Sequence, residues 1–149
     1  MKLLSLDLST RSSGFSVLNN GVVVDYGTVK SSDEDFIERG HDMAEGIKNL
    51  CEKHGGFDKV VVEELKVLTN QKVLVMLGIV QGMVLRELKD TPVYFVKPSV
   101  WRKPFGLNGK RDDAKKKAIA WCTTNGFPVN NDDEAEAILI GKFFTGHKG

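Results

Sequence analysis

The sequence predicts an α/β domain on a five-stranded mixed sheet, an antiparallel meander followed by parallel strands, flanked by helices. Three short apolar segments open the chain, separated by a Ser/Thr-rich turn and by Asn19-Asn20-Gly21, a hairpin signal, so a meander is their simplest assembly. Val60, Val61 and Val62 form an unbroken apolar run, which marks a strand covered on both faces. Helical and strand patterns alternate thereafter.

The meander strands read as residues 2–6, 14–18 and 21–29. A helix then starts at Ser32 or Asp33, with Phe36, Met43, Ile47 and Leu50 at helical spacing, and stops at Gly55-Gly56. The Val60 strand is expected at the centre of the sheet. Residues 70–88 form a helix whose Val73, Leu74, Val75, Ile79, Val80 and Val84 leave little polar surface. A helix apolar nearly all round must be covered on more than one side, which predicts a homodimer packed through it; a helix wholly inside one core is the alternative. Residues 93–96 give a short strand, Pro98 starts a helical turn, 105–109 make a Gly-flanked loop, and 111–124 and 131–144 complete the helices.

At 149 residues the expectation is a single domain, 1–149. The start carries no secretory pattern, and no run approaches the roughly 18 apolar residues of a membrane span, so no membrane partner and a cytoplasmic location are expected. Cys51 and Cys122 lack zinc-like spacing with His41, His54 or His147 and read as buried thiols. The net charge of +1 hides an asymmetry: Lys97, Arg102, Lys103, Lys110, Arg111, Lys115, Lys116 and Lys117, against Asp112 and Asp113, give residues 97–117 a charge of +6 and leave −5 elsewhere. Such separation suits a protein with one surface for cations and another for a polyanion, although a solvated helix face would look the same.

Carboxylates fall at element ends. Asp7 ends the first strand and precedes Ser9, Thr10, Ser12, Ser13 and Gly14. A lone Asp there commonly bonds its own turn, whereas the hydroxyl-rich loop would let a phosphate or metal-bound water approach. Glu63 and Glu64 end the Val60 strand; successive strand residues face opposite ways, so only one can join a given site, and the apolar run does not choose. At the last helix, Asn131, Asp132 and Glu134 fit helix-start chemistry. Asp133 and Glu136 instead share a side with Ala137 and Ile140 and lean inward, where a bound cation would stabilise them.

The segments LSLDLSTRSSGFSVL, VVVEEL with NQK shortly after, PSVWRK, GKRDDAKKK and DEAEAILIG, in this order over nearly the whole chain, resemble the RuvC Holliday-junction resolvases, particularly small bacteriophage members. The resemblance implies an RNase H-like fold, a homodimer, paired nicking of four-way DNA junctions, and two Mg2+ or Mn2+ ions per active site with no nucleotide cofactor. A phage-encoded protein would act in the host cytoplasm. By resemblance the family's acids fall on Asp7, Glu63, Asp133 and Glu136, with Glu64 in reserve, and its basic region corresponds to Arg102, Lys103, Lys110 and Lys115. The last acid is Glu where the family commonly has Asp, and Leu-Ser-Thr follows Asp7 where Pro-Gly-Ser is frequent. These departures leave selectivity among four-way junctions, three-way junctions and flaps open.

The expected chemistry is two-metal phosphodiester hydrolysis, with Lys115 offsetting charge on the phosphate, and Arg102, Lys103, Lys110, Arg111 and Lys116 binding DNA. Trp101 and Phe105 would stack on bases at an opened junction or simply pack their loop. A non-catalytic branched-DNA-binding protein would share the basic and dimer surfaces, and an actin-like ATPase would share the strand, Asp and small-residue turn but needs a second lobe.

Overall fold

The computed structural model describes residues 1–65, 70–107 and 109–146. Strands β1 (Lys2–Asp7), β2 (Ser12–Asn19) and β3 (Val22–Lys30) form an antiparallel meander, and β4 (Lys59–Glu63) and β5 (Val93–Val96) add in parallel on the other side of β1. The order is β3-β2-β1-β4-β5. The hairpin turn sits where the sequence puts it: Asn20 and Gly21 have φ of 52° and 82°, the paired positive values that a right-twisted two-residue hairpin requires. The strand expected at the centre is one place off. β4 is interior, with Val60, Val61 and Val62 fully buried, but the middle position belongs to β1, which pairs with both β2 and β4.

Helices α1 (Phe36–His54) and α2 (Gln71–Arg86) cover one face, while α3 (Pro98–Arg102), the 3₁₀ turn Lys103–Phe105, α4 (Arg111–Thr124) and α5 (Asp132–Phe144) belong to the other. Strand alternation separates the two cores. Leu4, Leu6, Val60 and Val62 pack with Met43, Ile47, Val80 and Val84, whereas Leu3 and Val61 pack with Trp101, Ala118, Ile138 and Leu139.

α1 starts at Phe36, later than expected from Ser32 or Asp33, because the preceding residues are used otherwise. Asp35 caps the helix by accepting from Ile37 N, and Arg39 reaches back to donate to the carbonyls of Asp33 and Glu34 at 2.8 and 2.9 Å. Its end is as read, with Gly55 at φ 72°. α2 buries one stripe, Val80 and Val84, against α1 and leaves Val73, Val75 and Ile79 exposed. No helix among the described residues is long and apolar enough to cross a membrane. Cys51 and Cys122 are free thiols; Cys122 is buried, which pushes its thiol up to about 12, while Cys51 is only half-buried.

α5 lies directly on the sheet because small side chains allow it. Ser5 and Ser16 both donate hydroxyl hydrogen bonds to the Ala137 carbonyl, each at 2.8 Å. At Gly14 a Cβ would come within 1.9 Å of the Asp133 carbonyl oxygen, and at Gly141 within 2.5 Å of Leu18.

On the meander's outer strand, Asp25 ties β3 to the end of α1: its Oδ2 lies 2.8 Å from His54 Nε2 and accepts from Lys53 Nζ at 3.1 Å. Partial burial pushes its carboxyl up, but the His54 and Lys53 hydrogen bonds and charges outweigh this and hold it below the usual carboxylate value. A depressed folded value means the contribution is fully present above the unfolded pKa, near 3.9, and is lost as pH falls through the folded one. Asp25→Asn should therefore cost about 0.5–1 kcal/mol at neutral pH, a Tm lower by ~1–4 °C. In melting curves the gap from wild type should narrow progressively as pH falls below about 3.9.

Candidate active site

Asp7 is the last residue of the central strand and Glu63 the last of its parallel neighbour. Pleating sends both toward α5: Leu3, Ser5 and Asp7 share one face of β1, and Val61 and Glu63 share the same face of β4. Glu64 is exposed, its backbone N–H extending the pairing to Val96 O at 2.8 Å. Glu63 is thus the acid brought near Asp7, and Glu64 is not.

α5 supplies the rest. Asn131 caps it by accepting from Glu134 N at 2.9 Å, while the Glu134 carboxylate accepts from Asn130 N and from Thr28 Oγ1, both at 3.0 Å. Glu134 is therefore occupied in holding the helix start against β3. Asp133 and Glu136, on the other side, turn toward Asp7. Ser12 Oγ donates to Asp133 Oδ2 at 2.7 Å, Arg102 Nη2 to Glu136 Oε1 at 3.1 Å, and Trp101 Nε1 to Glu63 Oε2 at 2.6 Å.

Four carboxylates from β1, β4 and α5 thus face one another, and Asp7 registers it. Burial pushes its carboxyl well above the usual range, and the charges of Glu136, Glu63 and Asp133 and a hydrogen bond with Glu136 push the same way. Burial also raises Asp133, opposed by the Ser12 hydrogen bond and by the Lys115 charge. Among the described residues, no three acidic, His or Cys side chains already stand in metal-holding geometry. The donor set nonetheless suits a hard divalent cation: every donor is a carboxylate oxygen, their mutual repulsion is what a cation relieves, and one acid already holds a guanidinium.

The basic residues divide. Lys103, Lys110, Arg111 and Lys116 are exposed around α3 and α4. Arg102 is turned inward on Glu136, and Lys115 pairs with Asp132 at 3.4 Å rather than with the four converging acids. Trp101 is fully buried with its N–H on Glu63, so of the two expectations for this residue the structure supports packing of its turn and not stacking on a base. The sequence pattern does not reveal the roles of Trp101 and Arg102 as carboxylate partners, nor that of Ser12, which reads only as one hydroxyl in a Ser/Thr-rich loop.

Comparison of the fold finds three informative solved structures. Thermus thermophilus RuvC in complex with a Holliday junction substrate superposes with a TM-score of 0.76 at 16% identity, covering 95% of this chain and 90% of that one. Fowlpox virus resolvase with Holliday junction DNA gives 0.61 at 14% identity, covering 97% of each chain. The yeast mitochondrial Holliday junction resolvase gives 0.56 at 16%, covering 96% of this chain and 77% of that one. No curated protein matches in sequence. The model of the family described as Lactococcus phage M3 protein matches residues 1–144. The chain has the RuvC-type, RNase H-like fold, and it belongs to the Lactococcus phage M3 protein family.

Proposed function

We propose that this protein is a metal-dependent endodeoxyribonuclease, a RuvC-like nuclease domain that binds and nicks branched DNA, four-way Holliday junctions first and three-way junctions or flaps as further substrates. The convergence of Asp7, Glu63, Asp133 and Glu136 on one end of a RuvC-type sheet carries this reading. Asp7, Glu63, Asp133 and Glu136 would hold two Mg2+ or Mn2+ ions. Such ions supply Lewis acidity toward water and phosphate, for hydrolysis to a 5′-phosphate and a 3′-hydroxyl.

The chain's own groups do the rest. Ser12 fixes the carboxylate plane of Asp133, and Trp101 that of Glu63. Lys115, held by Asp132, keeps a positive charge near Asp133 and would offset charge on the phosphate. Exposed Lys103, Lys110, Arg111 and Lys116 would bind phosphates with salt-dependent, largely sequence-independent affinity. The exposed Val73, Val75 and Ile79 of α2, at 40%, 59% and 38%, would be covered by a second copy, placing two sites on one junction. The pairing of Arg102 with Glu136 favours one second reading, a branched-DNA-binding protein that does not cut.

A synthetic four-way junction separates the two readings. Wild type should nick it in Mg2+, while Asp7→Asn should abolish nicking and retain junction binding in Ca2+; loss of binding together with nicking would contradict the assignment. Without metal, Asp7→Asn should melt higher, by ~2–4 °C for each kcal/mol of relieved burial and repulsion. In sedimentation equilibrium the wild type should run at twice its 16.5 kDa, and Val75→Asp with Ile79→Asp should run as a monomer.

A further inference from the structure

Trp101 and Arg102 are adjacent residues on one short helical turn, yet each grips an acid from a different element. Trp101, with no exposed surface, donates its indole N–H to Glu63 of β4 at 2.6 Å. Arg102 donates to Glu136 of α5 at 3.1 Å, with side-chain exposures of 18% and 8%. The two are also in contact with each other, the guanidinium lying 5.2 Å from the indole centroid.

The two grips differ in kind. An indole N–H is a neutral donor that adds no charge to the carboxylate it holds. A guanidinium is a full positive charge, and on Glu136 it occupies the position in the charge balance that a metal ion would take. That ion pair is also incompletely satisfied. Arg102 Nε is buried and has no hydrogen-bond partner among the described residues. A buried pair with an orphaned donor is a poorer resting place than a fully bonded one, so its exchange for another cation is less costly.

We infer that α3 is a two-residue clamp on the candidate metal centre, in which Trp101 positions Glu63 for a divalent cation while Arg102 acts as an internal counter-ion on Glu136 that the incoming cation must displace. Both are positioning residues, acting through the acids they hold. The inference rests on the reading of the four acids as a metal centre, and it deepens that reading by giving neighbouring residues opposite effects on metal affinity. Removing a neutral positioning donor weakens metal binding, as loss of such outer partners commonly does by about 10–100-fold. Removing a competing charge strengthens it.

The test is calorimetric titration of the purified full chain with Mn2+, without DNA and without any activity readout. Trp101→Phe keeps the ring and loses the N–H, and should bind Mn2+ about tenfold or more weakly. Arg102→Met leaves Glu136 buried without its partner, and should bind at least several-fold more tightly than wild type. Arg102→Lys restores the competing charge and should return affinity toward the wild-type value. Metal-free melting curves check that each variant folds, and a variant that does not is replaced by Trp101→Leu or Arg102→Gln. A purely structural turn would move both substitutions in the same direction or leave both unchanged, and either result overturns the clamp. Mn2+ binding by wild type with Arg102→Met equal or weaker also overturns it while leaving the metal centre standing. No Mn2+ binding by wild type overturns the metal reading and the clamp together.

Discussion

The arrangement depends on how closely α5 approaches the sheet. A helix stands off a sheet by the layer of side chains between them, and small residues at the contact let it approach more closely. Here the layer is thinned at chosen points. Ser5 and Ser16 bond directly to the Ala137 carbonyl, and Gly14 on β2 and Gly141 on α5 present no side chain at the contact. Asp133 and Glu136, on the turn between those contacts, are thereby carried to the strand ends that bear Asp7 and Glu63. An alanine at position 14 would meet backbone, which cannot swing aside as a side chain can.

Bringing acids together has a cost that the protein meets locally. Asp7 is desolvated, surrounded by like charge and hydrogen-bonded to another acid, Glu136, while the other three acids each accept from a donor: a hydroxyl on Asp133, an indole on Glu63 and a guanidinium on Glu136. The site therefore combines strong repulsion at its centre with fixed side chains around it, the condition under which a divalent cation gains most from binding. Glu134, one residue from Asp133, belongs to a different economy, bonded to Thr28 and the chain's own turn.

Much of this was legible in the residues. The Asn20-Gly21 hairpin, the stop at Gly55, the buried Val60–Val62 strand, and the sorting of Glu134 from Asp133 and Glu136 all follow from local chemistry that tertiary packing did not override. What stayed hidden depended on partners distant in sequence. The choice between Glu63 and Glu64 needs the face on which Val61 lies, which an apolar run on both faces does not encode. The centre of the sheet passed to β1 because β4 adds beside it rather than between the meander strands. Trp101 and Arg102 read as an aromatic and a charge in a basic segment, the pattern of a nucleic-acid surface, and only the approach of α3 to β4 and α5 turns them inward.

The central claim is that four acids from three elements form one divalent-metal centre. Anomalous diffraction from crystals grown with Mn2+ measures this directly. The account predicts Mn2+ peaks bounded by Asp7, Glu63, Asp133 and Glu136, with the Arg102 guanidinium moved off Glu136. Peaks confined to surface acids such as Asp112 and Asp113, with Asp7 unliganded and the Arg102–Glu136 pair intact, would contradict it.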